Sequence, residues 1–166
     1  YAVTVSVGDG ANTTSQALTV SVTDINEAPV ISSSLTLSAA ENQTAIGSVV
    51  ASDAEGADLT YTLAGDDAAS FSISSAGVLS FAAAPNFEVK STYSVTVIVS
   101  DGTSSNSSDF AITVSNVNEA PIITSAESLS IVENLAAVLT LTSSDPESDS
   151  LTYALSGDDA ALFSVN

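Results

Sequence analysis

The chain has 166 residues, and its 20 Asp and Glu residues face a single basic one, Lys90, for a formal charge of −19. So little positive charge leaves nothing to grip phosphates, which excludes nucleic-acid binding. With no His and no Cys, the common zinc and thiolate sites and the Ser-His and Cys-His catalytic pairs are excluded too.

Apolar residues make up 45% of the chain, an ordinary share for a folded domain, so the charge belongs to a chain that folds in spite of it. Self-repulsion then calls for bound divalent cations, or for a salty medium that screens it. No apolar run approaches the ~18 residues that cross a bilayer, so membrane insertion is not expected. No basic segment precedes an apolar core near Tyr1, so no signal peptide is expected there.

In chain order, the first predicted elements are two strands of period two. Tyr1, Val3, Val5 and Val7 form one apolar row, and Leu18, Val20 and Val22 another, with a Gly8–Asn12 turn between them. About seven short runs follow, near 31–38, 45–51, 58–64, 70–74, 78–82, 92–100 and 109–115. In the strongest of them Tyr93, Val95, Val97 and Val99 point one way and Ser94, Thr96, Ile98 and Ser100 the other. Phe110, Ile112 and Val114 repeat the pattern, as do Leu59, Tyr61 and Leu63. Thr and Ser suit the outward rows. At most one helical turn is expected, at Ala82–Pro85. Seven alternating strands in about 90 residues predict an all-β Greek-key sandwich, large enough to hold a core without staples.

The elements recur. Asp24-Ile-Asn-Glu-Ala-Pro29 returns as Asn116-Val-Asn-Glu-Ala-Pro121, Glu41-Asn42 as Glu133-Asn134, and Asp53-Ala-Glu55 as Asp145-Pro-Glu147. Leu59-Thr-Tyr61 returns as Leu151-Thr-Tyr153 and Gly65–Ala69 as Gly157–Ala161, all at one offset of 92 residues without insertion. A fixed period of this kind marks a tandem array. The phase predicts the last two strands of one repeat in 1–28, a complete repeat in 29–120 and the front part of a third in 121–166, a window on a longer array.

Acidic residues gather where the repeats join. Asp24, Asn26 and Glu27 lie on the first linker, and Asn116, Asn118 and Glu119 on the second. Glu41, Asp53, Glu55 and Asp101 sit at strand ends. Each alone reads as a solvated turn residue. As a repeated set they suit calcium, which takes about six to eight hard oxygen ligands; without a cation such carboxylates repel and raise one another's pKa. The repeated Asp66-Asp67 and Asp158-Asp159 pairs read as solvated turns. Nothing sets a raised-pKa acid in an aromatic cleft, so no enzyme is expected.

These motifs resemble the cadherin repeat, in the form found in large bacterial surface proteins of the RTX/adhesin type, over essentially the whole chain. Glu41-Asn42, Asp53-Ala-Glu55, Phe71-Ser-Ile73, Gly77-Val-Leu79, Tyr93-Ser-Val-Thr-Val97, Asp101 and the Asp24–Pro29 linker carry the resemblance. It implies Ca²⁺ between successive domains. The first junction would use Asn26, Asp53, Glu55 and Asp101 with Asp24 and Glu27. The second would use Glu41, Glu88, Asn118, Glu119, Asp145 and Glu147, with Glu88 entering through Asn86-Phe-Glu88. Both linkers are one residue shorter than the animal form. Asn86 and Asn116 replace acidic residues, which implies fewer or weaker ions at the second junction, in the roughly 10⁻⁴–10⁻³ M range of extracellular sites.

The resulting expectation is a calcium-rigidified extracellular spacer of an adhesin or surface filament. Its partners are the neighbouring repeats of the same chain, with homophilic, surface or glycan contacts beyond them. One alternative is a carbohydrate- or protein-binding module attached to a secreted polysaccharide-degrading enzyme. Another is a subunit of a self-assembling extracellular fibre.

Overall fold

The computed structural model describes every residue except 135, 137, 138 and 166, four positions of the third segment. β1 (Ala2–Gly8) and β2 (Thr13–Thr19) form an antiparallel hairpin with Val3 opposite Leu18. Its turn is set by Asp9, whose Oδ1 accepts the N–H groups of Ala11 (2.9 Å) and Asn12 (2.7 Å). The apolar rows expected to point inward lie open instead, with Val3, Val5, Val7, Leu18 and Val20 all exposed. A two-stranded ribbon has no facing layer of its own, and none of the described residues buries it.

The complete sandwich follows. β3 (Val30–Ile31), β4 (Thr36–Ala40), β5 (Ala45–Ser48), β6 (Ala51–Ser52) and β7 (Thr60–Ala64) lead to a 3₁₀ turn at Ala68–Ser70. β8 (Phe71–Ile73), β9 (Val78–Phe81), β10 (Thr92–Ser100) and β11 (Ser105–Ser115) complete it. One sheet has the order β4-β11-β10-β7 and the other β5-β9-β8. β4 joins β11 in parallel, while β10 runs antiparallel to both β11 and β7. Between the sheets lies the core: Val95, Val97 and Val99 from β10, Phe110, Ile112 and Val114 from β11, and Phe71, Leu79 and Phe81 from the facing sheet. Each such side chain contributes about 1.5–3 kcal/mol by leaving water. Leu59, Tyr61 and Leu63 pack partly buried against this core, on the inward row that the alternation predicts.

Three expected elements differ. The run at 31–38 is two strands, because β3 bonds to β6 while β4 bonds to β11 in the four-stranded sheet; Ser32, Ser33 and Ser34 carry the chain across. The run at 45–51 divides for the same reason. β5 pairs with β9 through a bulge between Ala45 and Gly47, and β6 then pairs with β3. The helical turn expected at Ala82–Pro85 does not form. Ala82 N–H donates to the Ser70 carbonyl (2.9 Å) and the Pro85 carbonyl accepts Asn42 N–H (3.1 Å), so that backbone is committed elsewhere.

The offset of 92 reappears in three dimensions. The pairing of β1 with β2 is the pairing of β10 with β11 shifted by one repeat, Val3 with Leu18 answering Val95 with Phe110. β12 (Ile122–Ile123) and β13 (Ser143–Ser144) pair as β3 and β6 do. Left-handed backbone recurs as well, at Asn42 (φ 61°) and Asn134 (φ 67°), and at Gly56 (φ 75°) and Ser148 (φ 62°). Ser128–Val132 and Leu151–Tyr153 match β4 and β7 in sequence but form no strand. Among the described residues nothing pairs with them as β10 and β11 pair with β7 and β4, and a strand without a ladder partner is not stable alone.

Candidate metal centre at the junctions

Glu41 ends β4 and is only 2% exposed. A buried carboxylate needs donors, and both of its oxygens have one: Oε2 accepts Phe87 N–H and Oε1 accepts Val117 N–H, each at 2.7 Å. The first donor lies on the β9–β10 connection and the second on the linker, so Glu41 ties the floor of the sandwich to the chain leaving it. Asn42 follows in the left-handed region, and its side-chain amide donates to Glu119 Oε1 on that linker. Glu119 N–H in turn points at Glu147 Oε2 (3.4 Å) of the next segment.

These contacts bring Glu41, Glu88, Glu119 and Glu147 together, with one carboxylate oxygen from each lying within 4.8 Å of the others. Glu119 Oε2 and Glu147 Oε1 are buried there with no hydrogen-bond partner. The chain's one cation is not at hand. Lys90 pairs with Asp67 and sits 4.6 Å above the Tyr93 ring. Asp67 also accepts Ser94 N–H (2.9 Å), so it is a strand anchor rather than the solvated turn residue expected from sequence. Asn118 and Asp145 make local hydrogen bonds, on the linker and in the next segment. Asn118 Nδ2 donates to the Glu119 carbonyl (3.0 Å), and Asp145 Oδ1 accepts Asp149 N–H (3.0 Å).

At the first junction Asn26 Nδ2 donates to Asp101 Oδ2 (2.9 Å) and to Ser104 Oγ (3.1 Å), joining the linker to the β10–β11 turn. Asp53 Oδ1 accepts the N–H groups of Glu55 (3.1 Å) and Ala57 (3.0 Å), while its Oδ2 is buried without a partner. Glu27 N–H approaches Glu55 Oε2 (3.3 Å), the counterpart of Glu119 with Glu147. Asp24 is exposed on the linker. Sequence reasoning missed the amide of Asn42, the hydroxyl of Ser104 and the backbone clasp on Glu41. Only Asn42 had a signal, its place in the repeated Glu-Asn pair.

The facing carboxylates perturb one another. A hydrogen bond shared with Glu55, and then its charge, pushes the Glu27 carboxyl above its usual 4.5. The facing Glu119 carboxylate, with which it can share a hydrogen bond only on taking up a proton, and then burial, do the same to Glu147. Asp101 is held below its usual 3.8 by Ser104 N–H, the Asn26 amide and Thr103 N–H. Asp9 is lowered by Asn12 and Ala11 N–H.

A raised carboxyl binds more protons folded than unfolded, so its repulsion is relieved as pH falls through the raised value toward 4.5. The lowered aspartates contribute stability above 3.8 and lose it as pH falls through their folded values. In chelator, the melting temperature is therefore expected to rise from neutral to mildly acid pH and to fall again below the aspartate range. A melt series with a monotonic decline from pH 7 would contradict the carboxylate pairing.

Residues 26–115 match the bacterial Ig domain family. Chitinase A of Pseudoalteromonas piscicida is 34% identical over 133 residues, which is 79% of this chain and 16% of that protein. Among solved structures, protocadherin gammaB7 EC3-6 is similar with a TM-score of 0.58 at 22% identity, over 88% of this chain and 42% of that one. Human protocadherin-24 EC1-2 gives 0.53 at 22% identity, over 72% and 60%. At such identities the likeness is one of fold, a cadherin-like β-sandwich. Bacterial Ig and cadherin-like domains are non-catalytic structural modules, and no helix among the described residues is long and apolar enough to cross a membrane. The chain belongs to the bacterial Ig domain family.

Proposed function

We propose that calcium ions bind at the junctions and lock successive sandwiches into a stiff spacer of a secreted or cell-surface bacterial protein. The observation that carries this is the meeting of Glu41 and Glu88 from one sandwich with Glu119 of the linker and Glu147 of the next segment. The donor set fits a hard cation: oxygen only, anionic, with buried oxygens on Glu119, Glu147 and Asp53 that lack any partner. Asn118 and Asp145 complete the second set, and Asp24, Asn26, Glu27, Asp53, Glu55 and Asp101 make up the first. Segments 1–28, 29–120 and 121–166 are then parts of three repeats whose partners are one another. The spacer holds an adhesive tip away from the cell, and its partners beyond the array are homophilic, surface or glycan contacts.

A second reading is favoured by the likeness to chitinase A. Here the same struts separate a catalytic domain from its anchor, or grip the polysaccharide it degrades.

Because calcium binds the aligned state alone, it stabilises by mass action, by about 2.7 kcal/mol at a hundredfold excess over Kd. With Kd near 10⁻⁴ M that means roughly 10 mM calcium. A melt with and without it tests the reading. The expected result is a higher melting temperature, a gain reduced in a Glu119→Gln/Glu147→Gln double variant, which leaves the first junction intact. An unchanged melt of the parent chain would sink it.

A further inference from the structure

We infer that Asn42 is a positioning residue that presets the second junction before any ion arrives. This rests on the calcium reading above. Its amide reaches from the end of β4 to Glu119 Oε1 on the following linker, 77 residues away in sequence. Among the described residues it is the one side chain that donates a hydrogen bond to any of the four clustered carboxylates. The other donors to them are the backbone N–H groups of Phe87, Val117 and Glu119.

Holding one oxygen of Glu119 leaves the other, Oε2, buried and unpartnered in a carboxylate that belongs to the cluster. Free rotation of that carboxylate would cost side-chain entropy on binding, and repulsion from Glu147 would swing it outward. A neutral amide prevents both without adding charge of its own. Backbone geometry favours the residue, since Asn tolerates the left-handed φ of 61°. Gly would suit that φ better still, so the amide has work that the backbone does not ask of it. Asn134 takes the same conformation one repeat on (φ 67°).

The test is a double-mutant cycle read by calorimetric calcium titration of the full chain, using Asn42→Gly, Glu119→Gln and both together. Gly keeps the left-handed turn, so the urea midpoint in chelator should fall by no more than the loss of the one hydrogen bond to Glu119. Calcium affinity in Asn42→Gly should fall about fivefold, the worth of one hydrogen bond. In the Glu119→Gln background the same change should cost nothing further, because Asn42 acts through that carboxylate. Equal affinities in parent and Asn42→Gly, or an undiminished loss in the Glu119→Gln background, would overturn the role of Asn42 alone. A parent chain that takes up no calcium would overturn the underlying reading with it.

Discussion

Glu41→Ala is expected to cost the sandwich about 3–4 kcal/mol in calcium, enough to remove much of a small domain's margin. The loss has two parts. Phe87 and Val117 each give up a bond to a charged acceptor, worth about 1.5–3 kcal/mol apiece before relaxation. Both N–H groups then lose their acceptor at a site that the fold shields from solvent, since Glu41 is 2% exposed. One effect opposes this. Without an ion, deleting one of four facing carboxylates relieves repulsion, so the deficit measured in chelator should be smaller than in calcium. Glu41→Gln keeps one acceptor and should fall between. Urea unfolding of the three proteins in both media reads the pattern. A Glu41→Ala midpoint equal to the parent's in calcium would mean that the clasp on Glu41 is incidental.

Gly77→Ala is the second large change, expected at about 3 kcal/mol. Gly77 closes the turn between β8 and β9 at φ 76°, where any Cβ is strained. The added methyl would stand 2.5 Å from the Val49 carbonyl and 3.2 Å from the Tyr61 ring. Retreat is blocked, because Val49 N–H donates to the Gly77 carbonyl at 2.8 Å and Val49 itself is buried. Gly56 is the control. It has nearly the same φ, 75°, but open space where a Cβ would go, and Ser148 fills its place in the next segment. Gly56→Ser should therefore cost at most about 1 kcal/mol. Equal urea midpoints for the two variants would show that strain at φ, and not the close approach to Val49, sets the cost.

How much of this was legible depended on which force fixed each element. β10 and β11 were plain because they are long, central and buried on one face, so the alternation of Val95, Val97, Val99 with Thr and Ser states the geometry outright. The split of 31–38 was hidden, because hydrophobicity does not say which neighbour accepts a strand's hydrogen bonds. Val30–Ile31 and Thr36–Ala40 serve different partners within one apolar run. The open rows of β1 and β2 were misjudged for a related reason: periodicity gives a face, not the layer that covers it.

At the junctions the repeat marked Glu41, Glu119 and Glu147, because carboxylates at a fixed offset are visible in one dimension, while Glu88 entered only through the resemblance of Asn86-Phe-Glu88. The clasp of Phe87 and Val117 on Glu41 was not, since backbone donors carry no residue signature. Asp67 illustrates the converse. It sits in a turn-like Gly-Asp-Asp, yet Lys90, 23 residues on, makes it an anchor.

The central claim is that calcium turns a hinge into a strut, and small-angle X-ray scattering of the parent chain measures that directly. In about 10 mM calcium, far above the expected Kd, the maximum dimension should lengthen and the scattering should fit one rigid particle. Excess chelator should shorten it and broaden the distribution of distances. Identical profiles in calcium and chelator, with the melt also unchanged, would contradict the claim and return the junction carboxylates to solvated turns.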